Sequence, residues 1–227
     1  MLITYLGHAS FLIETGKHRL VFDPFIRGNE LTKGKVDFDA LKPDFILVSH
    51  GHEDHTADLV DLANASGAQV IGSWEMQNWL HQQGIKNTHA MNFGGSWNFP
   101  FGRVKFFQAM HTSSFADNSY AGAAGGFIVE TEEHCFYYSG DTGLFQDMKL
   151  IPMFHDVSFS FFPIGDNFTM DAEQAAMAAE FVNCDKVIAM HFDTFGFIEV
   201  DHAAARKSFD QLGKELIIPE IGKSFEL

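Results

Sequence analysis

The stretch Phe45-Ile46-Leu47-Val48-Ser49-His50-Gly51-His52-Glu53-Asp54-His55 constrains this chain more than any other segment. An apolar run with the character of a buried strand ends at once in three histidines and an aspartate within six residues. With an extended backbone His50 and His52 point the same way, because side chains two apart share one face of a strand. Asp54 and His55 then turn toward a second point as the chain enters the next helix. Four ligating groups in so short a span crowd a single tetrahedral metal. They suit two adjacent metals, each completed by residues from elsewhere.

The missing ligands follow one grammar. Residues 105–110 run straight into His111, residues 136–140 into Asp141, and Lys186–Met190 into His191. Each is an apolar strand run followed by a metal-competent side chain. Strand ends that converge on one rim would gather them, and that is the edge where open β/α sheets place their sites.

Short runs rich in Val, Ile, Phe and Tyr predict strands at residues 3–6, 11–14, 19–22, 45–49, 69–72, 104–109, 126–130, 136–139, 157–162, 186–190 and 216–218. Helical spacing and capping residues predict helices at 56–65, 74–83, 171–182 and 202–212. The alanines of the third form a slim face able to lie close to a sheet. Twenty-five phenylalanines, against 4 tyrosines and 3 tryptophans, suit a deep and dry core. In both halves several strands come first and mixed strands and helices follow, and no linker or short-period repeat interrupts them. The expectation is one α/β (α+β) domain over residues 1–227, two sheets covered by helices on their outer faces.

Charge narrows the partners. Fifteen Lys and Arg stand against 30 Asp and Glu, a net charge of −15, which repels phosphate backbones and anionic membranes. The expected partner is a small-molecule substrate, not nucleic acid or membrane, and a homo-oligomer is left open. Cys135 and Cys184 sit in or beside apolar runs and read as reduced, buried thiols. No apolar run approaches the ~20 residues that span a bilayer, and the opening Met1-Leu2-Ile3 lacks a basic leader, so a cytoplasmic location is expected.

These motifs together resemble the metallo-β-lactamase superfamily, and within it the small metal-dependent hydrolases near the ascorbate-6-phosphate lactonases. The likeness covers the Ser49-to-His55 motif, Gly7-His8-Ala9-Ser10-Phe11, Phe22-Asp23-Pro24, His111-Thr112-Ser113-Ser114 and Ser139-Gly140-Asp141-Thr142-Gly143. It extends through Phe168-Thr169-Met170 and His191-Phe192-Asp193-Thr194-Phe195. The resemblance implies a four-layer αββα sandwich with a dinuclear site in the cleft between the sheets. One metal would take His50, His52 and His111, the other Asp54, His55 and His191, with Asp141 bridging both. A metal-bridging hydroxide would be the nucleophile, with Asp54, His8 and Asp141 as catalytic residues. Imidazoles and carboxylates without a thiolate suit zinc first, and manganese, nickel or iron as well.

Around this set, His8 is expected to contact substrate or steer a proton, and Asp23 to accept from a ligating imidazole. Asp193 and Thr194 are candidates for the pocket wall. Glu53 should point outward, and His18, His81, His89, His134, His155 and His202 read as surface or packing residues. The chain departs from the family pattern at Asp166, where a second glycine is expected, and at Phe192, where tyrosine is common. The implied reaction is cleavage of a small ester-like bond, lactone or phosphodiester. A thiol-directed iron dioxygenase on the same scaffold is the alternative. A nuclease ranks low, because the chain shows neither an inserted clamp nor a basic stripe.

Overall fold

The computed structural model describes all 227 residues. In the first half, β1 (Leu2–Gly7), β2 (Ser10–Thr15) and β3 (His18–Phe22) form an antiparallel meander. Onto it β4 (Phe45–Leu47), β5 (Gln69–Ser73) and β6 (Thr88–Met91) add in parallel. The second half repeats the scheme. Here β7 (Ser96–Phe99), β8 (Gly102–Gln108), β9 (Gly125–Glu130) and β10 (Cys135–Tyr138) pair antiparallel. The strands β11 (Phe159–Pro163), β12 (Lys186–Met190) and β13 (Glu215–Ile217) follow in parallel. Finally β14 (Ser224–Glu226) returns to the first sheet, placing Glu226 opposite Leu2.

Parallel neighbours need crossovers, and helices on the outer faces supply them. The helices α1 (Glu53–Thr56) and α2 (Leu59–Ser66) join β4 to β5, and α3 (Trp74–Gln82) joins β5 to β6. In the second half α4 (Ala172–Phe181) and α5 (His202–Asp210) play the same part. None of these helices is long and apolar enough to cross a membrane. The single helix expected over 56–65 is instead two pieces. The buried Asp58 carboxylate accepts from the Ile26 and Arg27 amides at 2.7 and 2.8 Å and ends the first piece early.

Alternation along the strands sorts side chains to two cores. Phe11, Phe22 and Phe45 face inward, where Phe11 meets Phe161 at 4.7 Å between ring centroids and Phe22 meets Tyr138 at the same distance. Leu12, Val21, Ile46 and Val70 face outward against Leu59, Leu62, Met76 and Leu80 of α2 and α3. On the other side, Ala175, Ala176, Ala178 and Ala179 bring α4 close to its sheet, as the slim face predicted. Each fully buried Phe contributes roughly 1.5–3 kcal/mol, so the phenylalanine-rich interior is the main stabilising mass. The fold is the expected αββα sandwich.

This topology also aims the site. Two antiparallel steps bring β1 and β3 into the same direction, and likewise β8 and β10. The chain therefore leaves β1, β3, β4, β8, β10 and β12 toward one rim, and His8, Asp23, Ser49–His50, His111, Asp141 and His191 follow within three residues of those strand ends.

Candidate metal centre

The seven residues marked as ligands come together at that rim. One group is His50, His52 and His111, whose imidazole nitrogens lie within 4.8 Å of one another. His52 Nδ1 is 3.0 Å from His50 Nε2 and 3.3 Å from His111 Nε2. Burial is the largest cause holding all three imidazoles below their ordinary pKa, so they are neutral lone-pair donors at pH 7. One proton can bridge only one such pair. Three nitrogens that converge this closely fit a cation.

The second group is Asp54, His55 and His191, joined by His8. Asp141 lies between the groups: its Oδ2 is 3.0 Å from His191 Nε2, 3.3 Å from His55 Nε2 and 3.6 Å from His111 Nε2. Buried His55 Nε2 and Asp141 Oδ1 have no hydrogen-bond partner. Stranding a buried polar atom costs about 1–3 kcal/mol, more when it is charged, so these two atoms also fit a cation.

The backbone holds this arrangement under tension. His8, Asp23 and His191 adopt left-handed conformations, with φ of 55°, 42° and 54°. Each costs on the order of 1–3 kcal/mol and persists only where the surroundings enforce it. Gly140 is needed for a similar reason. At φ 61°, a Cβ there would stand 2.6 Å from the Gly125 carbonyl oxygen and 2.7 Å from Ser49 Cβ.

Asp23 does what the sequence predicted. Its carboxylate accepts from His55 Nδ1 at 2.9 Å, and from the Ser49 amide and hydroxyl at 2.7 and 2.6 Å. Ser49 Oγ in turn lies 2.9 Å from His50 Nδ1. Both imidazoles thus keep their protons on Nδ1 and turn Nε2 toward the cluster. Tyr138 OH also donates to Asp23, at 2.7 Å, a contact that sequence reading missed. Burial and the Asp23 charge hold this phenol well above its ordinary pKa, so it remains a donor. Asp23→Asn is expected to lower cation affinity by about 10- to 100-fold while the protein stays folded. Titration with a competing chelator measures this, and unchanged affinity would remove Asp23 from the role.

His8 is fully buried at the base of the site, its Nε2 3.1 Å from Asp54 Oδ2 and its Nδ1 2.9 Å from Thr194 Oγ1. Burial is the main force that lowers its pKa to about 4, so it is neutral at pH 7. Asp193 does not line the pocket. Its carboxylate accepts from the Val200 amide at 2.9 Å and lies 2.7 Å from His202 Nε2, bracing its own loop. Glu53 is exposed, as expected. None of the six histidines set aside joins the centre. His155, however, stands beside Glu130 and Cys135, with Nδ1 2.8 Å from Glu130 Oε1. Cys135 is half-buried, not buried, because β10 starts there at the end remote from the rim.

Charge balance makes the centre sensitive to pH. Burial opposes charge on His191, yet Asp141 and Asp54 outweigh it and raise the imidazole from 6.5 to about 9. In chelator-stripped protein this proton stabilises the fold fully below pH 6.5, and that contribution is lost as pH rises through about 9. Stripped protein should therefore lose denaturant resistance across this window, and metal-loaded protein should not, because the cation displaces the proton. Equal pH profiles for the two forms would contradict the account.

An αββα sandwich with a histidine- and aspartate-rich rim defines a metal-dependent hydrolase of the metallo-β-lactamase superfamily, and residues 18–192 match the beta-lactamase superfamily domain. The chain belongs to the UPF0173 metal-dependent hydrolase family. It is 47% identical to the member from Christiangramia forsetii and 45% identical to that from Flavobacterium johnsoniae, each over the full length of both chains. Among solved structures it is similar to Igni18, a metallo hydrolase from the hyperthermophilic archaeon Ignicoccus hospitalis. That match has a TM-score of 0.89 and 29% identity, covering 100% of this chain and 98% of the other.

Proposed function

We propose that this hydrolase cleaves a small ester-like bond, a lactone or a phosphodiester, at two divalent cations. His50, His52 and His111 would hold one cation and Asp54, His55 and His191 the other, with Asp141 shared. The observation that carries this reading is the position of Asp141 Oδ2, within 3.6 Å of imidazoles from both groups. Zinc suits the donors best, and manganese, nickel or iron are accepted by the same set. When bound, such a pair lowers the pKa of a shared water to about 7 and polarises the bond to be attacked.

The chain's own groups place and move the proton. Neutral His8 orients Asp54 through the 3.1 Å contact, and Thr194 fixes the His8 ring from its other nitrogen. Asp54 is the carboxylate of the centre most open to solvent, its side chain 27% exposed against 3% for Asp141. This exposure supports Asp54 as the group that takes the proton from the attacking water. For a lactone, the water oxygen bonds to the carbonyl carbon and the ring C–O bond breaks. The proton passes to the departing oxygen, leaving a hydroxy acid. Buried Tyr138, Ser49 and Asp23 hold the ligating rings still through this sequence.

Chelator-stripped protein reloaded with zinc, manganese, nickel or iron provides the test, against a panel of lactones and phosphodiesters. Turnover of at least one class that depends on added metal, with close to two metals per chain, is the expected result. Binding of one iron per chain together with consumption of dissolved oxygen in the presence of a thiol substrate would replace this reading with the dioxygenase. No turnover with any metal would refute it.

A further inference from the structure

A cavity of about 620 Å³ opens directly onto the metal centre, and three phenylalanines form its outer wall. Phe168 comes from the loop after β11, and Phe195 and Phe197 from the loop after β12. Phe197 is 78% exposed and Phe168 52%, their rings edge to face with centroids 6.5 Å apart. Phe195 is rooted deeper, 5.4 Å from the His8 ring and 6.3 Å from Phe25. Large apolar rings left open to water at a cavity mouth are what an apolar ligand would cover.

Both loops are built to hold these rings in place. Gly165 leaves no room for a side chain, since a Cβ there would lie 2.2 Å from the His191 carbonyl oxygen. Asp166 and Asn167 then turn through left-handed conformations, and the Met170 amide ties the loop to the Thr142 carbonyl at 3.1 Å. The second loop is closed by the Asp193 amide on the Ile198 carbonyl at 2.7 Å and by the Asp193 carboxylate contacts described above. Asp166, at the position where the resemblance leads one to expect glycine, is exposed and belongs to this turn.

The polar part of the wall consists of the centre's own residues and Thr112, and neither lysine nor arginine lines the cavity. A phosphate-bearing substrate would have the proposed cations to offset its charge, but no arginine or lysine to orient a phosphate by paired hydrogen bonds. We infer that the phenylalanine collar selects an uncharged ester or lactone that carries an alkyl or aryl arm. The arm lies against Phe168 and Phe197 while the carbonyl meets the metal centre. This rests on the hydrolase reading above and favours its carbonyl branch over the phosphodiester.

The test uses full-length, metal-loaded protein and γ-lactones whose ring carries an unbranched arm, from hydrogen through hexyl. It adds one arm ending in a phosphate group and one simple dialkyl phosphodiester. Covering a methylene with apolar surface should raise kcat/KM by about two- to four-fold per carbon, mainly through KM. The double variant F168A/F197A should flatten this slope, and F168L/F197L, which keeps apolar bulk, should restore most of it. Metal content, measured on all three proteins, should not differ. A flat series, or preference for the phosphate-tipped arm or the phosphodiester, would overturn the collar's role and leave the hydrolase intact. Absence of metal-dependent turnover for every compound would overturn both.

Discussion

Asp141→Ala should abolish metal-supported hydrolysis while leaving a folded protein. Residues that only orient a ligand cost about 10- to 100-fold when replaced, so loss of a shared carboxylate should exceed that range. Asp141 is buried and its Oδ2 is the one atom close to His55, His111 and His191 together. Its removal also leaves the His55 and His191 rings without the charge that most strongly favours their protonated forms, so their proton affinity should fall. His52→Ala should behave alike for a different reason. His52 is half-exposed and offers Nδ1 to the first group, so its loss should empty that position without disturbing the core. Metal counts and circular dichroism on both variants separate loss of cation from loss of fold. Retained turnover in either would refute the ligand assignment.

Metal removal should have the second largest effect, this time on stability. The donors follow strands of both sheets, so a cation held by them favours the folded chain alone. With free metal at 100 times its dissociation constant the gain is about 2.7 kcal/mol, which for a chain of this size is roughly 5–11 °C in Tm. Thermal unfolding before and after chelation, with recovery on reloading, measures it. Equal transitions would mean that the donors do not bind a cation with useful affinity.

The rim was legible because its residues stand at or just beyond the ends of apolar runs, and strand direction then brought the ends together. His111, Asp141 and His191 were found by that rule. The strands it missed were β6, β7 and β14, which lie at sheet edges. Their pairing comes from a neighbour and not from an apolar pattern of their own, and Ser224-Phe225-Glu226 offers almost none. The break between α1 and α2 was invisible because its cause, Asp58 bonding to Ile26 and Arg27, is distant in sequence. The same holds for Tyr138 on Asp23 and for the company of His155. The phenylalanine collar was hidden by composition: among 25 copies, nothing marks three as exposed until the loops are folded.

The pairing of Leu2 with Glu226 has a consequence for biosynthesis. At ribosomal rates of about 5–20 residues per second, β1 emerges on the order of ten seconds or more before its outer neighbour exists. Throughout that interval its free hydrogen-bonding edge can recruit a stray strand from another nascent chain. High-affinity metal capture is delayed as well, because His191 leaves the tunnel late. Tight capture of the cation is therefore expected only after strands of both sheets have been synthesised.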